Sequence, residues 1–289
     1  MIKIKKRLSI RAFACAWIGI LAALPACSAT DEQPLKIKLL EEHTLNDKMK
    51  ETSGLVCTGR IALTINDSGN DPVLFSINSK GQSIGEQPLD FKNKDWEAVT
   101  ADHQYFYIGD VGNNDGRRNY VMVRKVSQAT YKIAKTLKLT YKDNDPAVNL
   151  PYAHDFDAES LVYHDRKLIL FSKSWASRKV RVYHVDPNQE EQALEPLTFI
   201  DGLPGIITGA DWDPYNNRFV VVGYNNSTIG LFRPFVATIS EDYQLTGVAR
   251  LEDFAQVEGI CVKGPEEIWV SQEKSPLNSA KLARMAISR

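Results

Sequence analysis

Cysteine is scarce in this chain, with four residues among 289, and that number excludes a small scaffold held together by disulfides. An excess of basic charge is also absent, since 35 Lys and Arg face 36 Asp and Glu. The first 26 residues hold five of those bases and no acid, so the remainder is acidic by six charges. Nucleic acid is therefore not an expected partner, because phosphate contacts need clustered Lys and Arg.

Several well-known catalytic motifs are missing as well. The sequence contains no P-loop and no dinucleotide-binding fingerprint. Its five His have neither the H-E-x-x-H nor the two-Cys, two-His spacing of a zinc site. Residues 81–85 match G-x-S-x-G, but they lie in a polar turn between strands and not between a strand and a helix. The sequence thus indicates location and architecture more clearly than a reaction.

The N-terminus has the features of an export signal. A basic segment (residues 1–11) precedes an apolar run (residues 12–24), which is shorter than the roughly 20 residues of a membrane span. Leu24-Pro25-Ala26-Cys27 is similar to a bacterial lipobox, in which the signal is cut before an acylated Cys; ordinary cleavage near Ala26 or Ala29 is the alternative. We predict a signal peptide over 1–26, lipidation of Cys27, a tether over 27–34 and one domain over 35–289.

This signal predicts a lipoprotein of the bacterial cell envelope. Ser28 after the Cys is typical of outer-membrane lipoproteins, facing the periplasm or the cell surface, and acyl chains such as palmitate would be the membrane anchor. Cys15 lies in the signal and Cys27 would be acylated, which leaves Cys57 and Cys261. In an oxidising compartment these two form either one disulfide or two buried thiols.

The body contains five similar segments, each with a short strand, a polar turn, a strand rich in β-branched and aromatic residues and a weaker third strand. Their anchors are spaced 44, 62, 50 and 49 residues apart and are Ser53, Glu97, Glu159, Gly209 and Glu258. Repeats of about 40 to 50 residues indicate a β-propeller. We predict an all-β chain with five blades, or six if the longest interval hides another, closed by pairing of residues 35–40 with 281–287. A β-sandwich is the alternative.

With these segments aligned, the chain resembles a group of largely uncharacterised exported bacterial β-propellers, and the match covers residues 50–275. The motifs that carry it are Ser53-Gly-Leu55, Asn66-Asp-Ser-Gly-Asn70, Asp95-Trp-Glu-Ala98, Ile108-Gly-Asp-Val-Gly-Asn-Asn114, Asp157-Ala-Glu159, Thr208-Gly-Ala-Asp211, Glu258-Gly-Ile260 and Ser271-Gln-Glu-Lys274. More distantly it is similar to SdiA-regulated lipoproteins, phytase-like esterases and gluconolactonase-type propellers. That similarity implies a central channel and a divalent cation, without a defined reaction.

The repeat anchors are the first candidates for chemistry. Because they recur at equivalent points, Glu97, Glu159 and Glu258 should meet Ser53 near the propeller axis. Converging carboxylates repel one another unless they are protonated, paired or bound to a cation, and Ca²⁺ or another divalent cation accepts such oxygens. The alternative is that each Glu accepts backbone N–H bonds from the neighbouring blade and holds the blades together.

A second ring of polar residues follows each anchor by about one strand and its turn. Acids, amides, Lys, Arg and Trp together suit a polar ligand, although the same residues also build turns. The candidates for a ligand-binding rim are Asp67, Asn70, Asp110, Asn113, Asn114, Arg117, Lys173, Trp175, Tyr224, Asn225 and Glu273.

Three functions are consistent with these patterns. The first is a monomeric, membrane-tethered module that binds a small polar ligand, a glycan or a protein at one rim, and it is favoured by the absence of a nucleophile–base pair. The second is a cation-assisted hydrolase of a lactone, phosphate ester or sugar, with Glu97 or Glu159 as base near Lys173. The third is a docking protein for envelope assembly.

Overall fold

The structure is a computed structural model that describes residues 34–226 and 232–288. The predicted signal peptide, Cys27 and all but the last residue of the predicted tether lie outside the described residues. In the described ranges the regular secondary structure is almost entirely β-strand, and the only helix is a 3₁₀ turn at Asp47–Met49. None of the elements in this part is a helix with the length and hydropathy that a membrane crossing requires. The prediction of an all-β chain is confirmed.

Strand β1 (Lys36–Thr44) comes first, and two antiparallel blades follow it along the chain. The strands of blade 1 are β2 (Thr52–Thr58), β3 (Ile61–Asn66), β4 (Val73–Ile77) and β5 (Ser83–Pro88). The strands of blade 2 are β6 (Trp96–Ala101), β7 (Tyr105–Asp110), β8 (Val121–Ser127) and β9 (Ile133–Tyr141). The second strand of each blade is the most apolar because both of its faces are covered by neighbouring blades.

Three more blades complete the chain. Blade 3 consists of β10 (Ala158–His164), β11 (Lys167–Ser172), β12 (Val180–Val185) and β14 (Thr198–Ile200). Strand β13 (Glu191–Leu194), which precedes β14 in the sequence, instead pairs parallel with β9 at the edge of blade 2. Blade 4 consists of β15 (Ile206–Asp213), β16 (Arg218–Asn226), β17 (Phe232–Ser240) and β18 (Leu245–Arg250). Blade 5 consists of β19 (Val257–Gly264), β20 (Glu267–Gln272), β21 (Lys281–Ser288) and β1.

The blades form a closed ring. The inner strands β2, β6, β10, β15 and β19 each lie beside the next, and β19 lies beside β2. Five buried hydrophobic clusters fill the five boundaries, each combining residues of two consecutive blades. At one boundary, for example, Trp96 of blade 2 packs with Ile65 and Leu74 of blade 1. The chain is therefore a five-bladed β-propeller, as predicted.

The first and last strands close the ring in the predicted way. Strand β1 pairs antiparallel with β21, from Lys36 opposite Ser288 to Thr44 opposite Lys281. A disulfide also joins Cys57 on β2 to Cys261 on β19, whose Cα atoms are 5.4 Å apart. The inner strands of the first and last blades are thus joined covalently.

No sixth blade lies in the longest interval between anchors. Residues 142–157, between β9 and β10, contain no strand, and they form a loop that reaches the mouth of the propeller at Tyr152. The extra length between Glu97 and Glu159 is this loop.

Each inner strand has a β-bulge near its beginning. The ladder with the second strand skips one residue in every blade, and the skipped residues are Gly54, Glu97, Glu159, Thr208 and Glu258. When the segments Thr52-Ser-Gly54, Trp96-Glu-Ala98 and Ile207-Thr-Gly209 are aligned, Ser53 of blade 1 is equivalent to Glu97. In blade 4 the equivalent residue is Thr208, so the predicted anchor Gly209 was wrong by one position. Bulges re-aim a side chain, and here they direct polar groups toward the axis.

Candidate functional site

A cavity of about 240 Å³ lies at one mouth of the channel, and every blade contributes to its wall. We call it the central cavity. It is lined by Ser53, Asp67, Glu97, Asn114, Tyr152, Glu159, Lys173, Trp175, Tyr224, Phe232, Gln256, Glu258 and Glu273.

Three predicted anchors meet in this cavity. Glu97, Glu159 and Glu258 come from the bulges of blades 2, 3 and 5, and all three are buried. Among the described residues no backbone N–H donates to their carboxylates, so the backbone contacts of the alternative prediction are not made there. Hydroxyl groups bond to carbonyls of neighbouring blades instead: Ser53 Oγ donates to the Glu97 carbonyl at 2.9 Å, and Thr208 Oγ1 donates to the Val257 carbonyl at 2.5 Å.

A second ring of residues stands where the second strands end. Asp67, Lys173 and Glu273 occupy it in blades 1, 3 and 5, and each donates its backbone N–H to the residue just before the inner strand. Tyr224 is the corresponding residue of blade 4. In blade 2 Gly112 makes the equivalent bond, to the Asp95 carbonyl at 3.2 Å.

Gly112 rather than Asp110 therefore represents blade 2 in this ring. Asp110 is buried and pairs with Arg118, whose Nη2 lies 2.7 Å from its Oδ1. Val111 adds one residue to the end of the strand and is itself fully buried. The structure thus places Asp110 outside the central cavity.

Among the described residues, Lys173 is the only cationic side chain that lines the cavity. Its ammonium pairs with Glu159 Oε1 and lies 4.9 Å from the centre of the Trp175 ring and 5.9 Å from that of Tyr224. Aromatic faces attract cations. The cavity wall therefore contains one positive charge, which interacts with two aromatic rings and one carboxylate.

Acidic groups outnumber this ammonium. Asp67, Glu97, Glu159, Glu258 and Glu273 all face the cavity. Burial raises the pKa of Glu258 to about 7, and burial together with the charge of Glu258 raises the pKa of Glu273 to about 8. Burial, then repulsion from Asp67, raises the pKa of Glu97 well above its usual range. Positive charge is therefore favoured in this cavity.

One group of carboxylates is spaced like the ligands of a metal ion. Asp67, Asp95 and Glu97 each offer one oxygen, and these oxygens lie within 4.8 Å of one another. Burial, then the charge of Asp67, raises the pKa of Asp95 to about 6. Of the three predicted metal ligands only Glu97 belongs to this group, since Glu159 is paired with Lys173. Glu258 lines the cavity but does not belong to the group.

The remaining predicted rim residues divide between the cavity and the surrounding loops. Asn114 and Trp175 line the cavity, whereas the exposed Asn225 does not. Asn113 is buried and donates its side-chain amide to the Phe156 carbonyl. The side chain of Asn70 donates to Glu51 and to the Asp67 carbonyl, and Arg117 donates to the carbonyls of residues 146 and 147.

Four residues of the site were not among the predictions. Asp95 and Gln256 stand directly before inner strands, in the quoted D-W-E-A and Q-V-E-G-I segments, so a wider window around each anchor finds them. Tyr152 belongs to the long loop and Phe232 begins the third strand of blade 4. Neither of these two has a repeat position that marks it.

Comparison with known proteins adds the following. No protein-family model matches the chain, and no curated protein does. One similar solved structure is a luciferin-regenerating enzyme, with 11% identity and a TM-score of 0.46 over 87% of this chain and 95% of that one. A second is the hydrazine synthase of Kuenenia stuttgartiensis, with 14% identity and a TM-score of 0.43 over 85% of this chain and 64% of that one. A third is a chain of a mitotic checkpoint complex, with 12% identity and a TM-score of 0.40 over 95% of this chain and 85% of that one. The class of the protein, a five-bladed β-propeller, follows from its strand ladders.

Proposed function

We propose that the protein is an exported, lipid-anchored binding module that takes a small polar ligand in the central cavity. The observation that carries this proposal is the convergence of polar side chains from the bulged inner strands of several blades on one recess. The recess, at about 240 Å³, is below the roughly 300–1,000 Å³ of drug-sized pockets. It suits a molecule the size of one sugar or one amino acid.

The polar groups of the cavity favour a ligand that donates hydrogen bonds. Glu159 Oε2 is buried and has no hydrogen-bond partner among the described residues. An ionised carboxylate, such as that of Glu159 in its pair with Lys173, can only accept, so a hydroxyl or amine group of a ligand would satisfy this oxygen. The rings of Trp175 and Tyr224 supply flat apolar faces beside the pair. Polyhydroxyl compounds and amines fit this arrangement better than anions.

Isothermal titration calorimetry of the full-length protein in detergent tests this proposal. The panel contains monosaccharides, amino acids, polyamines and inorganic phosphate. We expect a hydroxyl- or amine-rich compound to bind with one site per chain and phosphate not to bind. Trp175→Ala should remove that binding, and Trp212→Ala is the matched control, because Trp212 packs against His164 and Phe219 away from the cavity. Binding of phosphate alone, or binding kept in Trp175→Ala, would contradict the proposal.

A cation-assisted hydrolase is the second candidate. The observation that favours it is the pKa of Glu258, about 7, because an acid that titrates near neutral pH is suited to general acid–base catalysis. Lactone, ester and phosphate-ester screens with and without Ca²⁺ would detect such an activity, and Glu258→Gln should abolish it. Activity unchanged in Glu258→Gln would exclude that role for Glu258.

The anchoring part of the proposal has its own test. Labelling of cells with a palmitate analogue should mark the wild type and not Cys27→Ala, and the variant should move from the membrane fraction to the soluble fraction. Equal labelling of Cys27→Ala and the wild type would show that Cys27 is not the acylated residue.

A further inference from the structure

We propose that Asp67, Asp95 and Glu97 form a binding site for one hard divalent cation, with Ca²⁺ as the expected ion, in the wall of the central cavity. This site does not depend on the organic ligand proposed above. Asp67 follows β3, Asp95 stands directly before β6, and Glu97 is the bulged residue of β6. Two blades therefore supply the three carboxylates.

The spacing of the oxygens fits such an ion. One oxygen of each residue lies within 4.8 Å of the others. Oxygens bound to Ca²⁺ at 2.3–2.6 Å can stand at most about 5 Å apart across the ion. A single cation can therefore contact all three side chains.

The second observation is an unsatisfied buried oxygen. The side chain of Glu97 is 3% exposed, and its Oε1 has no hydrogen-bond partner among the described residues. The other oxygen, Oε2, has only a contact of 3.5 Å with Ser53 Oγ. A buried carboxylate without a partner is costly, and a cation bound on the side of Oε1 would remove that cost.

Gly112 leaves the space in front of these oxygens open. A Cβ added at Gly112 would collide with Glu97 Oε1 and with Asp95 Oδ2. The backbone of Gly112 is not in the left-handed region, so the absence of a side chain is required by space and not by conformation. At the equivalent place in the other blades stand Asp67, Lys173, Tyr224 and Glu273. In blade 2 alone this position is open, and two carboxylates face it.

Nearby basic groups do not neutralise the cluster. Arg118 pairs with Asp110, and Lys173 pairs with Glu159. Among the described residues neither Asp95 nor Glu97 has a salt bridge. The net negative charge of the cluster is left for an external cation.

Calcium titration of the full-length protein in detergent, after removal of metal with EDTA, tests the site. Calorimetry gives the affinity and stoichiometry, and Mn²⁺ electron paramagnetic resonance gives a second readout. We expect one ion per chain in the wild type and at least a tenfold weaker affinity in Asp95→Asn. Gly112→Ala should weaken binding by a similar factor, although it removes no ligand atom.

One acidic variant serves as the control. Asp115→Asn changes an exposed acid of the neighbouring loop and should keep the wild-type affinity within about twofold. No saturable binding in the wild type, or wild-type affinity kept in Asp95→Asn, would overturn the proposal. If Gly112→Ala does not fold, Asp95→Asn decides alone. Asp95→Asn is also titrated with the organic ligand in the presence of EDTA. Ligand binding under these conditions supports the proposed function whether or not the cation site exists, so the two failures can be distinguished.

Discussion

At the scale of single residues, the central cavity contains one ion pair and several further carboxyl groups that have no cationic partner among the described residues. Lys173 and Glu159 are both nearly fully buried and form an ion pair beside aromatic rings. Among the residues that the structure describes, the carboxylates of Glu258 and Glu273 form no salt bridge. These two situations predict opposite responses to neutralising substitutions, because removing one partner of a buried pair leaves a charge unpaired, whereas neutralising a lone buried acid removes such a charge.

Lys173→Met should destabilise the fold by about 3–5 kcal/mol, because Glu159 is then left buried without a partner. The double variant Lys173→Met/Glu159→Gln should recover most of that loss. Urea unfolding at pH 7 measures both. Lys132→Met, which breaks a surface pair with Asp90, is the control and should leave the midpoint unchanged. A single and a double variant with equal stability would show that the pair is not coupled.

Glu258 should make the stability of the fold depend on pH. Its pKa is about 7 in the folded chain against 4.5 for an unperturbed Glu, so between these values the folded chain holds a proton that the unfolded chain has released. The free energy of unfolding must then fall as pH rises through this window. Glu258→Gln should match the wild type near pH 4.5 and exceed it above pH 7, by on the order of a few kcal/mol.

Urea unfolding of the wild type and Glu258→Gln at a series of pH values checks this prediction. A difference in stability that is the same at every pH would contradict it, as would a wild type that becomes relatively more stable than the variant as pH rises.

At the scale of elements, the β-bulge of the inner strand determines which side chains reach the axis. In blade 1 the skipped residue is Gly54, whose φ is +61° and whose added Cβ would lie 2.7 Å from Val99 N of blade 2. This glycine is required both by its conformation and by the close approach of the two blades.

Gly54→Ala should therefore cost more than the same substitution at Gly69. Gly69 also has a positive φ, +77°, but nothing lies within 4 Å of an added Cβ, so Gly69→Ala measures conformational strain alone, about 1–2 kcal/mol. Gly54→Ala adds overpacking, about 1–3 kcal/mol more. Thermal and urea unfolding of both variants give the difference. Equal losses would show that the inner strands can move apart at this point.

The bulges also explain which parts of the site could be predicted from the sequence. Repeat spacing predicts Glu97, Glu159 and Glu258 on one axis, and the structure brings them into one cavity. It does not predict that Asp110 pairs with Trp96, as Asn66 pairs with Thr52, so that Asp110 lies before the ring and Gly112, after the extra residue Val111, takes the ring position. The prediction of Gly209 in place of Thr208 is wrong by one position for a similar reason, because a bulge adds a residue to one strand without changing its apolar pattern.

The sequence also does not predict hydrogen bonds between residues that are far apart along the chain. Ser53 and Thr208 donate their hydroxyls to carbonyls of neighbouring blades, and no pattern in the sequence shows that these hydroxyls, and not the Glu carboxylates, make such bonds. Tyr152 reaches the cavity from a loop without a repeat, so its place in the site follows from packing alone.

At the scale of the whole molecule, the ring is closed by two devices. Strand β1 completes blade 5, and the disulfide between Cys57 and Cys261 joins residues 204 positions apart in the sequence. A crosslink over such a long loop restricts the unfolded chain strongly, by about 5 kcal/mol in the chain-entropy model. The disulfide therefore stabilises the closed ring.

Replacing both cysteines, Cys57→Ala/Cys261→Ala, should lower the free energy of unfolding by about 2–5 kcal/mol while β1 keeps the ring closed and the ligand affinity unchanged. Urea unfolding and calorimetry on the same preparation measure the two effects. The wild type treated with a thiol reductant should match the double variant. Loss of ligand binding together with a small loss of stability would mean that the disulfide shapes the cavity rather than closing the ring.

The central claim is that ligand binds in the cavity formed by the five blades, and tryptophan fluorescence tests it most directly. Trp175 lines that cavity, whereas Trp96 and Trp269 are buried between blades. A hydroxyl- or amine-rich ligand should change the emission of the wild type in a saturable way, and the change should disappear in Trp175→Phe and persist in Trp212→Phe. An unchanged signal in Trp175→Phe would place the ligand elsewhere and contradict the account.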